Sequence, residues 1–170
     1  MAADIGSLDR RIAALEDAAR IKELKLAYFM NCDLKRPEEV AACFTPDAVI
    51  DYENVGRFDL AQYLDVYRRF GCRPTQLDAH HAGAPSITMT GLDTAKGVWP
   101  LHYVGVDLDA RTMRQVNGVY YDEYIRVGWR WLISVTVMRL FSVIVSQIGN
   151  EGSVSITSLG QESGPAFRID

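Results

Sequence analysis

Residues 111–145, RTMRQVNGVYYDEYIRVGWRWLISVTVMRLFSVIV, decide the fold of this chain. β-branched and aromatic residues dominate the stretch, and Val127-Gly128 divides it near its middle. This composition predicts two long strands, over 111–127 and 130–145, joined by a tight turn. Long strands connected by short turns form an antiparallel, strongly curved sheet.

Further strands are predicted on the N-terminal side of this hairpin. β-branched and aromatic residues also dominate 79–90 and 94–106, and Gly91-Leu92-Asp93 marks a turn between the two segments. Asp107 to Ala110 marks the next turn, and Ala48 to Glu53 predicts one shorter strand. The second half of the chain is therefore expected to be mainly sheet.

The first seventy residues are predicted to form three helices. Apolar residues recur there at the spacing of one helix face, namely Leu8, Ile12, Leu15 and Ala19. This spacing predicts a first helix from Ser7 to about Met30. Pro37, which two acidic residues follow, predicts a short second helix. Asp59 as an N-cap and Gly71 as a stop predict the third.

Three N-terminal helices followed by a meander of strands predict an α+β fold. We expect a cone-shaped α+β barrel, in which the helices pack on a strongly curved, mostly antiparallel sheet. The open end of such a cone is a natural ligand pocket. Residues 1–148 are expected to form this cone domain. Residues 149–170 are rich in Gly and Ser and lack periodicity, which predicts a C-terminal tail that is flexible or covers a neighbouring subunit.

The composition is that of one globular domain: 170 residues, of which 48% are hydrophobic and 24% charged. The formal net charge is −4, acids and bases are interspersed, and nucleic acid is therefore not an expected partner. The longest apolar runs, such as Leu140 to Val145, are too short to span a bilayer, so no membrane partner is expected. The N-terminus is charged rather than leader-like, and the three cysteines show no repeated spacing, which predicts a cytoplasmic protein.

Two places in the sequence suggest an acid–base pair. Asp33 ends the first predicted helix, where the negative end of the helix dipole disfavours a carboxylate unless a cationic or hydrogen-bonding partner compensates. His80 and His81 begin a strand, and only one of two adjacent strand residues can face the interior. An inward histidine becomes a base when a carboxylate orients its ring. The alternation argues against both imidazoles holding one metal, and no metal is expected.

Aromatic residues are numerous enough to line a pocket for a flat or polycyclic ligand, although they equally suit a plain core. The chain contains eight tyrosines and three tryptophans. Asn117 lies in an otherwise apolar predicted strand, and a buried amide there would bond either a neighbour or a substrate. The residues expected to contact a substrate are Tyr52, Trp99, Tyr103 and Asn117.

The chain resembles the SnoaL-like branch of the nuclear-transport-factor-like superfamily over about residues 8–145. The matching pieces are 21–25 leading to Tyr28 and Asp33, Cys43 to Ala48, His81-Ala82-Gly83, Gly97-Val98-Trp99, 118–124, and Trp131 with Arg139-Leu140-Phe141. The set Tyr28, Asp33, Tyr52 and His81 resembles the bile-acid dehydratases. The Asp33–His81 pair also resembles the dyad of hexachlorocyclohexane dehydrochlorinase and, more distantly, that of scytalone dehydratase.

This resemblance implies a lyase that catalyses dehydratase-type β-elimination on a hydrophobic, polycyclic or steroid- or polyketide-like substrate. It implies His81 as the base, Asp33 as the residue that orients it and Tyr28 as a hydrogen-bond donor. It also implies no metal or organic cofactor, and a homo-oligomer, either a trimer or a dimer. Two alternatives share the scaffold: a ketosteroid-type isomerase or polyketide cyclase, and a non-catalytic small subunit or ligand-binding module.

Overall fold

The computed structural model describes residues 5–160. The helical elements are α1 (Ile5–Asp33), α2 (Pro37–Ala41), α3 (Leu60–Val66) and a π-helical turn that continues α3 (Tyr67–Gly71). The strands are β1 (Phe44–Tyr52), β2 (Gly56–Asp59), β3 (Gln76–Ala82), β4 (Ser86–Met89), β5 (Thr94–Asp107), β6 (Thr112–Val127), β7 (Arg130–Ile148) and β8 (Val154–Gly160). Within residues 5–160, no helix combines the length and apolarity that crossing a membrane requires.

All eight strands belong to one curved sheet with the order β2-β1-β7-β6-β5-β3. β4 continues the edge beside β5, and β8 continues the edge beside β7. Every pairing is antiparallel except that between β1 and β7. The predicted α+β fold with a mostly antiparallel sheet is confirmed. The sheet is open rather than closed into a barrel, because β2 and β3 stand at its two ends.

The central hairpin of β6 and β7 has the predicted form. Its register runs from Thr112 opposite Gln147 to Val127 opposite Arg130. Gly128 takes a φ of 63° in the connecting turn, a conformation that a residue without Cβ adopts at little cost. This hairpin forms the middle of the sheet, and the other strands are added on either side of it.

The segment expected to be a C-terminal tail begins with a strand. Residues 154–160 form β8, which pairs with Val143 to Ile148 of β7 in the same chain. The part of β7 that extends beyond β1 would otherwise expose unpaired backbone groups, and β8 supplies their partners. The segment predicted to be a C-terminal tail, flexible or covering a neighbouring subunit, thus contains a strand over 154–160 that pairs within its own chain, and residues 161–170 lie outside the described part of the chain.

The third helix begins as its sequence predicts. The backbone N–H of Gln62 donates to Asp59 Oδ1 at 2.9 Å, and the backbone N–H of Asp59 donates to Gln62 Oε1 at 3.0 Å. This reciprocal capping box fixes the start of α3. The π-helical turn then ends at Gly71, the predicted stop. α3 packs against β1 and β2, at one end of the sheet.

A buried polar network joins α1 to the sheet. Lys25 Nζ lies 2.8 Å from Asp122 Oδ2, and both side chains are fully buried. Asp122 also accepts hydrogen bonds from Thr136 Oγ1 and Tyr124 Oη, each at 2.7 Å. Trp99 Nε1 donates to Tyr124 Oη at 2.8 Å. The network compensates the carboxylate for its lost hydration and fixes the position of α1.

Candidate functional site

A cavity of about 290 Å³ lies between the helices and the sheet. Its aromatic lining includes Tyr28, Tyr52, Phe58, Tyr63, Tyr67, Phe70, Tyr103 and Tyr120. Its polar lining includes Arg73, Gln76, Asp78, His80, Asp107 and Arg114. A mostly apolar chamber with a few convergent polar groups is the usual form of a small-molecule site.

An Asp–His pair lies at this cavity, and its histidine is His80. His80 Nδ1 lies 2.6 Å from Asp33 Oδ1, and the backbone N–H of His80 donates to Asp33 Oδ2 at 3.0 Å. Asp33 is the last residue of α1, where the helix dipole disfavours its charge. The two donors of one histidine supply the compensation that this position requires.

The prediction that His81 forms the pair is wrong. His81 is exposed on the opposite face of β3, and its ring centroid lies 6.0 Å from that of His102. His80 is paired with Tyr103 of β5, a cavity-lining residue, whereas His81 is paired with His102. Cross-strand partners share a face of the sheet, so this register directs position 80 inward and position 81 outward.

The imidazole of His80 is held between aromatic rings. Phe29 stacks on it with a centroid distance of 5.3 Å and an interplanar angle of 11°, and the Tyr103 ring lies 4.8 Å away. An ionised carboxylate can only accept a hydrogen bond, so Nδ1 carries the proton when the ring is neutral. Nε2 then has a free lone pair, which makes His80 a proton acceptor.

Phenol groups form a second polar cluster in the cavity. Tyr28 Oη lies 2.6 Å from Tyr52 Oη and 2.9 Å from Tyr63 Oη. Burial raises the pKa of each of these three groups well above 10.0, and the pKa of Tyr120 likewise. The phenols therefore stay protonated and act as hydrogen-bond donors. Tyr28 and Tyr52 lie in the cavity, as expected; Tyr63 and Tyr120 were not singled out.

Asp78 is a cavity residue that sequence reasoning missed. Its Oδ1 accepts hydrogen bonds from Tyr103 Oη at 2.5 Å and from Gln76 Nε2 at 2.7 Å, and its Oδ2 forms an ion pair with Lys35. Tyr103, one of the predicted substrate-contact residues, lines the cavity. The missed signal is the spacing of Asp78 and His80, which lie two residues apart and so share one face of β3.

Two residues expected to contact substrate do not line the cavity. Asn117 is exposed on the outer face of β6, where its Nδ2 donates to Ser142 Oγ at 3.1 Å. Its neighbour Val116 faces the cavity, so strand alternation turns Asn117 away. Trp99 is only 1% exposed and belongs to the network around Asp122. Both substrate-contact predictions are therefore wrong.

Residues 5–160 contain no cluster of three His, Cys, Asp or Glu side chains that could hold a metal ion. The chemistry that the cavity offers directly is proton transfer by His80 and hydrogen bonding by the phenols. Arg73 and Arg114 add positive charge.

Solved structures share this fold. A provisionally named scytalone dehydratase from Novosphingobium aromaticivorans DSM 12444 is 20% identical with a TM-score of 0.72, covering 78% of this chain and 89% of that one. Hexachlorocyclohexane dehydrochlorinase LinA-type3 from Novosphingobium barchaimii LL02 is 15% identical with a TM-score of 0.69, covering 91% and 99%. An NTF2-like protein with a cystatin-like fold from Novosphingobium aromaticivorans is 20% identical with a TM-score of 0.65, covering 82% and 92%.

Similarity in sequence shows the family to which the chain belongs. A search of curated proteins gave no match. The profile of the SnoaL-like domain matches residues 13–137, which include α1 from its third turn, both members of the Asp33–His80 pair and the sheet as far as the middle of β7. The chain therefore belongs to the SnoaL-like domain family.

Proposed function

We propose that this protein is a cofactor-independent lyase that eliminates water, or a comparable leaving group, from a hydrophobic substrate. The observation that carries the proposal is the contact of 2.6 Å between Asp33 and His80 at an aromatic cavity. A histidine oriented by a carboxylate and facing a ligand chamber is equipped to remove a proton from carbon.

In the proposed reaction, His80 Nε2 takes a proton from the carbon next to a carbonyl group. The released electron pair forms a carbon–carbon double bond, and the hydroxyl on the adjacent carbon departs. His80 then returns the proton to this hydroxyl, so water leaves and the enzyme is regenerated. Asp33 holds the ring in the required tautomer and stabilises its charged form.

The phenol cluster is proposed to bind the oxygen on which charge develops. Tyr28 Oη is linked to Tyr52 and Tyr63, and burial keeps all three groups protonated. Preorganised donors in a site from which water is largely excluded stabilise an enolate oxygen or a departing hydroxyl more strongly than water does. The structural neighbours named as dehydratase and dehydrochlorinase support an elimination, because both names denote loss of a small molecule HX.

The experiment compares two adjacent histidines. Purified wild type, His80→Asn and His81→Asn are incubated with a panel of hydroxylated polycyclic ketones, and products are detected by mass spectrometry. We expect loss of 18 Da with the wild type, reflecting departure of one water. His80→Asn is expected to slow the reaction by about 10²–10⁴-fold, the usual contribution of a positioned acid–base group. His81→Asn is the matched control and should retain wild-type turnover.

Two results would contradict this proposal. Wild-type rates in His80→Asn, with an unchanged fold by circular dichroism, would remove the dyad from the mechanism. Conversion of the panel without change of mass would indicate an isomerase or cyclase instead, because those reactions conserve every atom of the substrate.

A further inference from the structure

One apolar side of α1 faces solvent. It consists of four residues at helical spacing, here called the α1 stripe: Leu8, Ile12, Leu15 and Ala19. The exposed fractions of Leu8, Ile12 and Leu15 are 39%, 54% and 72%, and Ala19 is exposed as well. Between residues 6 and 20, Asp17 alone is buried. The part of the chain that the structure describes therefore leaves the α1 stripe uncovered.

A different side of α1 packs on the rest of the domain. Its buried residues include Ile21, Tyr28 and Cys32. At about 3.6 residues per turn, the α1 stripe lies roughly 140° around the helix from this buried side. Leu26 and Met30 are also exposed and continue the line of the stripe towards the end of α1. A row of exposed apolar side chains, turned away from the packed side of a helix, is typical of a surface that binds another protein.

The α1 stripe has the spacing of a coiled-coil seam. Its members follow one another at intervals of four, three and four residues, as the a and d positions of a heptad do. Ile12 and Ala19 take the a positions. Leu8 and Leu15 take the d positions, and Lys22 at the next d position ends the seam. A β-branched residue at a with leucine at d favours a parallel pair of helices.

The charges that flank the stripe differ in sign between its two edges. Asp9, Glu16 and Glu23 occupy consecutive e positions, so this edge is acidic. The g positions beside the stripe hold Arg11 and Ala18, so the other edge is basic or neutral. Arg11 and the three acidic residues are all exposed. The two edges are therefore complementary to each other, whereas the acidic edge would repel a copy of itself.

The remaining charges of α1 within residues 5–33 lie outside these e and g positions or in the buried side: Arg10, Asp17, Arg20, Lys25 and Asp33. Arg20 lies 3.4 Å from Glu16 and 3.0 Å from Asp17 in the same chain. The side chains of Arg20 and Glu16 are about half exposed, at 51% and 57%, and a carboxylate accepts several hydrogen bonds. Glu16 can therefore accept a further donor from a second molecule.

We propose that the α1 stripe joins two copies of this chain in a parallel helix pair. A twofold axis parallel to the helices places the acidic edge of each copy beside the basic edge of the other. Arg11 then lies opposite Glu16 of the second copy, the usual pairing of a g residue with the e residue of the next heptad. An antiparallel pair would place the two acidic edges together, which the like charges oppose.

This pairing leaves the candidate site of each copy intact. Tyr28 and Cys32, the α1 residues that line the cavity, belong to the buried side of the helix. The pairing is therefore independent of the proposed function, and variants of the stripe should keep the wild-type turnover.

The first test measures the molecular mass of the full-length chain by light scattering during size-exclusion chromatography. The wild type is expected at about 38 kDa, twice the 19.0 kDa of one chain. Combining Ile12→Lys with Leu15→Lys should halve this mass, because the seam cannot accommodate two buried lysines from each helix. Both residues are exposed in the single chain, so the fold should be kept. Leu92→Lys, which changes an exposed leucine outside α1, is the matched control and should stay dimeric.

The second test measures the direction of pairing by disulfide crosslinking. In a parallel pair each a residue meets its own counterpart, so Ala19→Cys should give a covalent dimer on mild oxidation. Ala13→Cys changes an exposed alanine outside the stripe and should give none. Both variants also carry Cys72→Ser, which removes the native thiol that is not buried.

The third test exchanges the flanking charges. Arg11→Glu should weaken the dimer by about tenfold at low salt, since it places two acidic groups opposite each other on both sides of the seam. Adding Glu16→Arg to Arg11→Glu should restore the wild-type dissociation constant. A wild type that stays at 19.0 kDa up to millimolar concentration overturns the proposal. A mass unchanged by the two lysines, no crosslink at position 19, or no rescue by the exchanged charges overturns it equally.

Discussion

The buried ion pair of Lys25 and Asp122 allows a stability prediction with a defined magnitude. Lys25→Met removes the ammonium group and leaves the Asp122 carboxylate in the interior. Breaking a fully buried pair in this way costs about 3–5 kcal/mol. Two hydrogen bonds of 2.7 Å, from Thr136 and Tyr124, remain on the carboxylate and favour the lower end of this range.

A second contribution comes from the ring beneath the ammonium group. Lys25 Nζ lies 3.9 Å from the centroid of the Tyr120 ring, and a desolvated contact of this kind is worth about 2 kcal/mol. The apolar methionine offsets part of this loss, because it avoids the desolvation that lowers the pKa of Lys25. We therefore expect Lys25→Met to reduce the free energy of unfolding by about 3 kcal/mol, or the melting temperature by about 6–12 °C.

Urea denaturation of four proteins tests this value: wild type, Lys25→Met, Asp122→Asn and the double variant. The double variant should be destabilised by clearly less than the sum of the two single effects, since it leaves no buried charge unpaired. Lys22→Met, an exposed change on the same helix, serves as control and should stay within about 0.5 kcal/mol of wild type. A Lys25→Met variant within about 1 kcal/mol of wild type, or additive effects, would refute the reasoning.

Three further predictions concern the cavity and the thiols. Tyr28→Phe should lower turnover of the substrate found by mass spectrometry by about 10²-fold or more while the circular dichroism spectrum is kept, and an unchanged rate would exclude Tyr28 as a donor. Cys72 should react with a chromogenic disulfide at pH 8 while Cys32 and Cys43 do not, because burial raises their pKa values to about 12 and about 11. Since the unfolded thiol ionises near 9.0, the stability that Cys32 contributes is lost as pH rises from 9 towards 12, and Cys32→Ala should flatten this decline in urea denaturation.

The parts of the fold that could be predicted are those with local signals. Asp59 and Gly71 bound the third helical segment because capping and helix termination depend on a few neighbouring residues. The β6–β7 hairpin was predicted because its two strands are adjacent in sequence and meet at Gly128. β2 and β8 were missed although each pairs with the strand just before it: β2 has only four residues, and β8 follows a Gly- and Ser-containing segment that was expected to be a tail.

The sequence alone could not decide which of His80 and His81 faces the cavity. Strand alternation established that only one of them could face inward, but which one depends on the register of β3 against β5. That register is set by contacts between segments about twenty residues apart, and a slip of one residue exchanges the two histidines. The same consideration applies to Asn117, whose outward orientation follows from the pairing of β6 rather than from its apolar neighbours.

The placement of the site on regular strands has a consequence for how it can change. His80 and Asp78 lie two residues apart on β3, opposite Tyr103 and Gly105 of β5 respectively. Because strand residues are held by ladder hydrogen bonds, substitution of one cavity-lining side chain leaves the backbone that carries the others in place. If His80 transfers the proton, cavity-lining residues away from the Asp33–His80 pair can change substrate preference while the reaction type is kept.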